Sequence, residues 1–184
     1  MLGTSGEKNG NSAPKPPGFF ALVYYPAVDA VSIQQLRKKY DPQVQLIQPD
    51  ITIVFPVPES IGEQHLIAHI QDVLLAWRPF TIRLKGLRLS WHNYLFLLVH
   101  EGKSNLIRLH AQMYVGLLAE YHHDEVSFVP HVTLGFFSED DRRQAALAEA
   151  ERLNLDYRSI LDRLFLVKVN SDRTQVILSK EFLL

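Results

Sequence analysis

Apolar residues recur along this chain with two different periods, and the switches between them mark out short strands and helices. Residues 19–25 form a nearly unbroken apolar run, the pattern of a strand buried on both faces. Ser32 and Gln35 sit three positions apart, a capping-box spacing that predicts a helix from there to about Tyr40. Residues 44–55 read as extended. Leu66, Ile67, Ile70, Val73, Leu74 and Trp77 make one stripe at helical spacing and predict a helix over 63–77. Phe80, Ile82 and Leu84 alternate with Thr81, Arg83 and Lys85, which predicts a half-buried strand. Residues 94–100 predict a central strand. Leu106, Leu109, Met113, Leu117 and Tyr121 line the inner face of a helix expected over 104–121. A strand over 126–137 follows, then a helix capped by Ser138 and running to about Leu153. Residues 161–169 and 174–183 read as a hairpin that closes the chain.

Segregated helices and strands of this kind predict an α+β fold. Within it, one short phrase occurs twice. Residues 49–55 read P-D-I-T-I-V-F and residues 130–136 read P-H-V-T-L-G-F. In a strand, residues i and i+2 share a face, so Asp50 pairs with Thr52 and His131 with Thr133, while Ile51, Ile53, Val132 and Leu134 point the other way. Each phrase offers an ionisable group and a hydroxyl on one side and apolar groups on the other. The leading proline cannot donate to a ladder and suits the start of a strand. The repeat predicts two similar halves related by a pseudo-twofold axis.

Composition narrows the function classes. The 184 residues carry a net charge of −1, which leaves no electrostatic footprint for long duplex nucleic acid and favours a small substrate or an RNA end. Without cysteine there is neither a disulfide framework nor a thiolate metal site. No apolar run is long enough to span a membrane. Residues 1–17 are rich in Gly, Ser, Asn, Lys and Pro, lack a signal peptide's apolar segment and read as a disordered tail. The expectation is a cytoplasmic protein with one domain over 18–184.

Other candidate groups carry two readings each. His65 and His69 stand at i, i+4 on the 63–77 helix, a metal-ligand spacing, but lack the glutamate and third ligand that would complete a site. His122, His123 and Asp124 read as a polar turn. Trp91, His92 and Tyr94 suit either a base-stacking wall or a loop anchor. Asp50 is either a solvated residue at a strand start or one half of a reactive pair with His131.

The paired phrases resemble the H-x-T/S motifs of the 2H phosphoesterase superfamily, which includes 2′-5′ RNA ligase-like proteins and cyclic phosphodiesterases. The resemblance extends from about Phe19 to the end of the chain. The second phrase matches closely; in the first, Asp50 stands where the family has histidine. The resemblance implies a bilobal fold, with antiparallel sheets flanking a central cleft and helices packed outside. It implies acid–base chemistry on a phosphodiester without metal or other cofactor: opening of 2′,3′-cyclic phosphates or reversible 2′-5′ linkage of RNA ends. Carried over by position, His131 and Asp50 are the catalytic residues, and Thr52 and Thr133 hold the phosphate oxygens. Ordinary pKa values of about 3.9 for Asp and 6.5 for His would make Asp50 an anionic base and His131 a cationic acid, each charge supporting the other. The anion would also oppose the substrate. Two like charges about 4 Å apart repel by about 4 kcal/mol at an effective dielectric of about 20. Two functions remain open: a phosphodiesterase weakened by Asp50, or a nucleotide-binding module that uses the same cleft without chemistry.

Overall fold

The computed structural model describes residues 17–90, 93–122, 125, 127–138 and 140–184. Two four-stranded antiparallel sheets form the body of the molecule. Strands β1 (Phe19–Tyr24), β2 (Ile51–Pro58), β7 (Arg163–Val169) and β8 (Val176–Leu183) make the first, in the order β2-β1-β7-β8. Strands β3 (Phe80–Leu89), β4 (Tyr94–Glu101), β5 (His131–Phe136) and β6 (Asp156–Leu161) make the second, in the order β5-β4-β3-β6. The two motif strands, β2 and β5, hold the same place: each is the edge strand at one end of its sheet. Helices α1 (Ala30–Tyr40), α3 (Lys103–Met113) and α4 (Asp140–Arg152) pack against the sheets, and α2 (Glu63–Leu74) packs on α3.

The halves are interleaved in sequence. The first sheet combines the beginning and the end of the chain, and the second takes the middle. One apolar core runs through both. It includes Leu22, Ile51 and Ile53 from the first sheet, Leu95, Leu97, Val132 and Leu134 from the second, and Leu36, Ile70 and Leu109 from the helices. Burying one such side chain fully contributes roughly 1.5–3 kcal/mol, so this shared core is the main force joining the sheets. Tyr24 adds a polar tie. Its hydroxyl meets Ser159 Oγ and donates to the Ile160 carbonyl at 2.9 Å, while Ser159 Oγ accepts from Ala27 N at 2.9 Å.

Several sequence expectations change. Helix α1 begins earlier than the Ser32 signal: Asp29 is the cap, accepting from Val31 N at 3.0 Å and from Ser32 Oγ at 2.6 Å. Residues 42–47 turn rather than extend, because Asp41 and Gln43 collect the backbone N–H groups of Gln43, Val44, Leu46 and Ile47. Strand β2 starts at Ile51 and continues through Pro56 and Pro58, which an edge strand tolerates. The 104–121 helix stops at Met113; Gly116, with φ of +65°, opens a separate 3₁₀ segment over Gly116–Tyr121. The 126–137 strand is confined to His131–Phe136. Strand β6 had no counterpart in the sequence reading. The 1–17 tail expectation falls, for residues 1–16, outside the described residues. Among the described residues, no helix is long and apolar enough to cross a membrane.

Candidate functional site

Asp50 immediately precedes β2, and His131 opens β5. Alternation then carries Thr52 and Thr133 to the faces that Asp50 and His131 present, while Ile51, Ile53, Val132 and Leu134 enter the core. All four motif residues line one cleft of about 600 Å³ between the sheets. Its wall on the first sheet is aliphatic, built by Ala21, Val23, Val167 and Val169. On the second sheet it is aromatic, with Tyr94, Phe96 and Phe136 beside His131. An adjoining cavity of about 750 Å³ shares Phe55, Tyr94, Phe96, Phe136 and His131 with the cleft and reaches Arg88 and His110.

His131 is held on both sides. Its Nδ1 lies 2.6 Å from the Val129 carbonyl, which can only accept, so Nδ1 carries the proton and Nε2 is the basic nitrogen. Phe96, paired across the ladder with Thr133, stacks on the imidazole with ring centroids 3.6 Å apart and planes at 29°. Burial pushes the His131 pKa down, against the smaller opposite effect of the Val129 hydrogen bond.

Asp50 keeps part of its surface open to the cleft, but protein surrounds its carboxyl closely. Thr52 Oγ1 donates to Asp50 Oδ2 at 3.1 Å. Burial pushes the Asp50 pKa up to about 6; the Thr52 hydrogen bond and the Arg37 charge work against it, and the Asp41 charge adds to it. Burial works against the expected mutual charging of Asp50 and His131. Desolvation is the largest influence on each, and it penalises both charged forms. The hydroxyls also differ: Thr52 is engaged with Asp50, whereas among the described residues Thr133 makes no side-chain hydrogen bond.

The other candidates separate from the cleft. His69 Nε2 bonds the Met113 carbonyl at 2.8 Å and docks α2 on α3. Among the described residues, no group of three His, Asp or Glu side chains could hold a metal ion. Tyr94 does line the cleft, stacked on Phe96 with centroids 5.7 Å apart, whereas Trp91, His92, His123 and Asp124 lie outside the described residues.

Sequence reasoning missed Phe96, Phe136, His110 and Arg37. Phe96 and Phe136 were legible only as apolar strand residues. His110 carried a signal, standing four positions after Leu106 on the apolar face of α3. It is buried, it stacks on Phe128 with centroids 3.8 Å apart, and its Nδ1 bonds the Ile53 carbonyl at 2.8 Å.

Paired edge strands that bring matching D/H-x-T phrases to one cleft between two antiparallel sheets define a two-lobed phosphoesterase architecture. The comparisons agree. The sequence profile of the 2′-5′ RNA ligase superfamily matches residues 25–173, and the chain belongs to that family. A Bacillus licheniformis protein classed by name among the phosphoesterases is 27% identical over 151 residues, 80% of this chain and 88% of that protein. A Bacillus cereus protein of the same class is 29% identical over 136 residues, 72% of this chain and 77% of that protein. The fold is similar to that of E. coli LigT in its apo form, with a TM-score of 0.58 and 18% identity over 92% of this chain and 98% of LigT. LigT complexed with 3′-AMP gives a TM-score of 0.54 at 16% identity, over 93% of this chain and 99% of that one.

Proposed function

We propose that the protein is a metal-independent cytoplasmic phosphodiesterase acting on 2′,3′-cyclic phosphates or 2′-5′-linked RNA ends. The observation that carries this reading is the convergence of Asp50, Thr52, His131 and Thr133 on one cleft. That E. coli LigT is solved with 3′-AMP, NADP+ and ATP agrees with a small nucleotide as the ligand.

Burial disfavours the charged form of each group, and on that ground we assign His131 Nε2 as the base and the Asp50 carboxyl as the acid. On a 2′,3′-cyclic phosphate, water attacks phosphorus while His131 takes its proton. The bond from phosphorus to O3′ breaks, O3′ takes the Asp50 proton, and a 2′-phosphate remains. His131 is then cationic and Asp50 anionic, and exchange with solvent resets both. Thr133 donates to a non-bridging oxygen. Thr52 donates its one proton either to Asp50 or, by turning its hydroxyl, to a phosphate oxygen. Each acid or base group contributes roughly 10²–10⁴-fold.

The test is turnover of a 2′,3′-cyclic nucleotide across pH. The expected profile is bell-shaped, with its optimum on the acid side of neutrality, unchanged by chelator and lost in His131→Ala. Above about pH 6, where Asp50 is ionised, Asp50→His removes a negative charge beside the phosphate and supplies a group that titrates near neutrality, so it should raise the rate there and move the optimum toward neutral pH. Nucleotide binding without turnover, in the parent and in Asp50→His alike, would select the binding-module reading. Thr52 already engaged with Asp50 is the observation that favours that alternative.

A further inference from the structure

Arg37 belongs to neither motif, yet it lines the cleft with Asp50 and Asp41. It sits in the last turn of α1 with only 2% of its surface exposed. One edge of its guanidinium is spent. Nε donates to Asp41 Oδ2 at 2.8 Å, Nη2 approaches the same oxygen at 2.7 Å, and Nη2 also donates to the Ile47 carbonyl at 3.0 Å. Nη1 is buried and has no hydrogen-bond partner. Leaving a buried donor unmatched costs roughly 1–3 kcal/mol, more for a charged group. A residue needed only to brace the 42–47 turns would use Nε and Nη2 and leave that cost unexplained.

We propose that Arg37 is a positioning residue for Asp50, and that Nη1 is the donor which receives the Asp50 carboxylate each time that carboxyl gives up its proton. Thr52 already occupies Asp50 Oδ2, so Oδ1 is the oxygen that turns to Arg37. Asp41 fixes the guanidinium fork in plane and partly offsets its charge, and together they let Asp50 cycle between neutral and anionic forms. The opposed influences of Arg37 and Asp41 on the Asp50 proton agree with this arrangement. Among the described residues, the other titratable or charged groups around Asp50 or lining its cleft are Tyr25 after β1, Tyr94 on β4, His131 on β5 and Arg173 between β7 and β8. Arg173 lies over the Phe19 ring, 5.7 Å from its centroid. Of the described cations lining the cleft, Arg37 is the one with a buried, unmatched donor.

The inference rests on the reading of Asp50 as a proton carrier, but its test does not need turnover. The Asp50 carboxyl carbon is followed by NMR in protein with carbon-13-labelled aspartate, assigned by loss of the signal in Asp50→Asn. Its midpoint in the parent is expected at about 6. Asp41→Asn should lower the midpoint, and Arg37→Met should raise it by about one unit, an ordinary size for the loss of one nearby charge. Arg37→Lys keeps the charge and should stay closer to the parent than Arg37→Met does. If Arg37→Met does not fold, Arg37→Met/Asp41→Asn removes both charges together, and its midpoint should still rise because Arg37 is the larger influence. Charge alone gives opposite shifts in Arg37→Met and Asp41→Asn, so the proposal is supported by an Arg37→Lys midpoint between those of the parent and Arg37→Met, since Lys keeps the charge and loses Nη1. Midpoints that stay put, or that move the same way in both variants, overturn it. Weaker binding of inorganic phosphate in Arg37→Lys with no change of midpoint also overturns it, in favour of direct contact with the ligand. An inactive parent with the expected shifts would sink the proposed reaction and leave this inference standing.

Discussion

Asp50 is a carboxyl held where its charge is costly, and that cost has a sign that can be measured. Its folded pKa of about 6 lies above the ordinary 3.8, so the native state holds the proton more tightly than the unfolded chain does. Below about pH 4 both states are protonated and there is no penalty. The stability is lost as pH rises through about 6, and the full loss amounts to about 3 kcal/mol at most. Asp50→Asn keeps an acceptor for Thr52 and removes the charge. It should therefore stabilise the protein at pH 7.5 by up to that amount in denaturant unfolding, with the gain gone at pH 4. An equal effect at both pH values would show that the charge is not what the site pays for. The sequence made this residue conspicuous, because Asp50 breaks an otherwise faithful repeat. It could not reveal the environment. Ordinary pKa values suggested a charged pair, whereas enclosure by protein penalises each charge, and enclosure depends on residues distant in sequence, such as Arg37 and Phe96.

At the scale of elements, the position of α1 decides where Arg37 stands, and β5 decides the position of α1. Gly135 makes this close approach possible. A Cβ there would meet Phe137 Cζ at 2.7 Å and the Tyr40 Cβ at 2.9 Å. Gly135→Ala should force α1 and the Phe137 ring apart, at a cost of roughly 1–3 kcal/mol. Thermal unfolding would register the lower midpoint, and the Asp50 titration should shift as Arg37 moves. An unchanged melting midpoint would mean that this contact has slack. The elements most legible in the sequence were those with a strong period: the stripe on α2, the apolar run of β4 and the β7–β8 hairpin. Those misjudged were set by single backbone events, such as the Asp29 cap and the left-handed Gly116. Strand β6 was missed because its buried positions, Ser159 and Leu161, include a hydroxyl whose worth lies in meeting Tyr24 across the sheets.

For the whole molecule, the decisive fact is that β1 is flanked by β2 on one side and β7 on the other. Removing residues 163–184 would strip β1 of one partner and the cleft of Val167 and Val169. Such a truncation should lose both cooperative unfolding and nucleotide binding. A truncated protein that still binds at the parent's affinity would show that the first sheet stands without its C-terminal half. The repeat in the sequence implied two halves but not their interleaving, because pairing between distant strands leaves no local trace. That interleaving has a consequence for how the protein comes into being. On the ribosome, the β2 segment with Asp50 and Thr52 emerges well before residues 163–183 that complete its sheet, whereas the sheet bearing His131 can close sooner. Long-range pairing of this kind is slow and leaves apolar edges uncovered meanwhile. A chain cut short before β7 would carry both motifs and still present no finished cleft, so the site is completed only when residues 163–183 have joined β1.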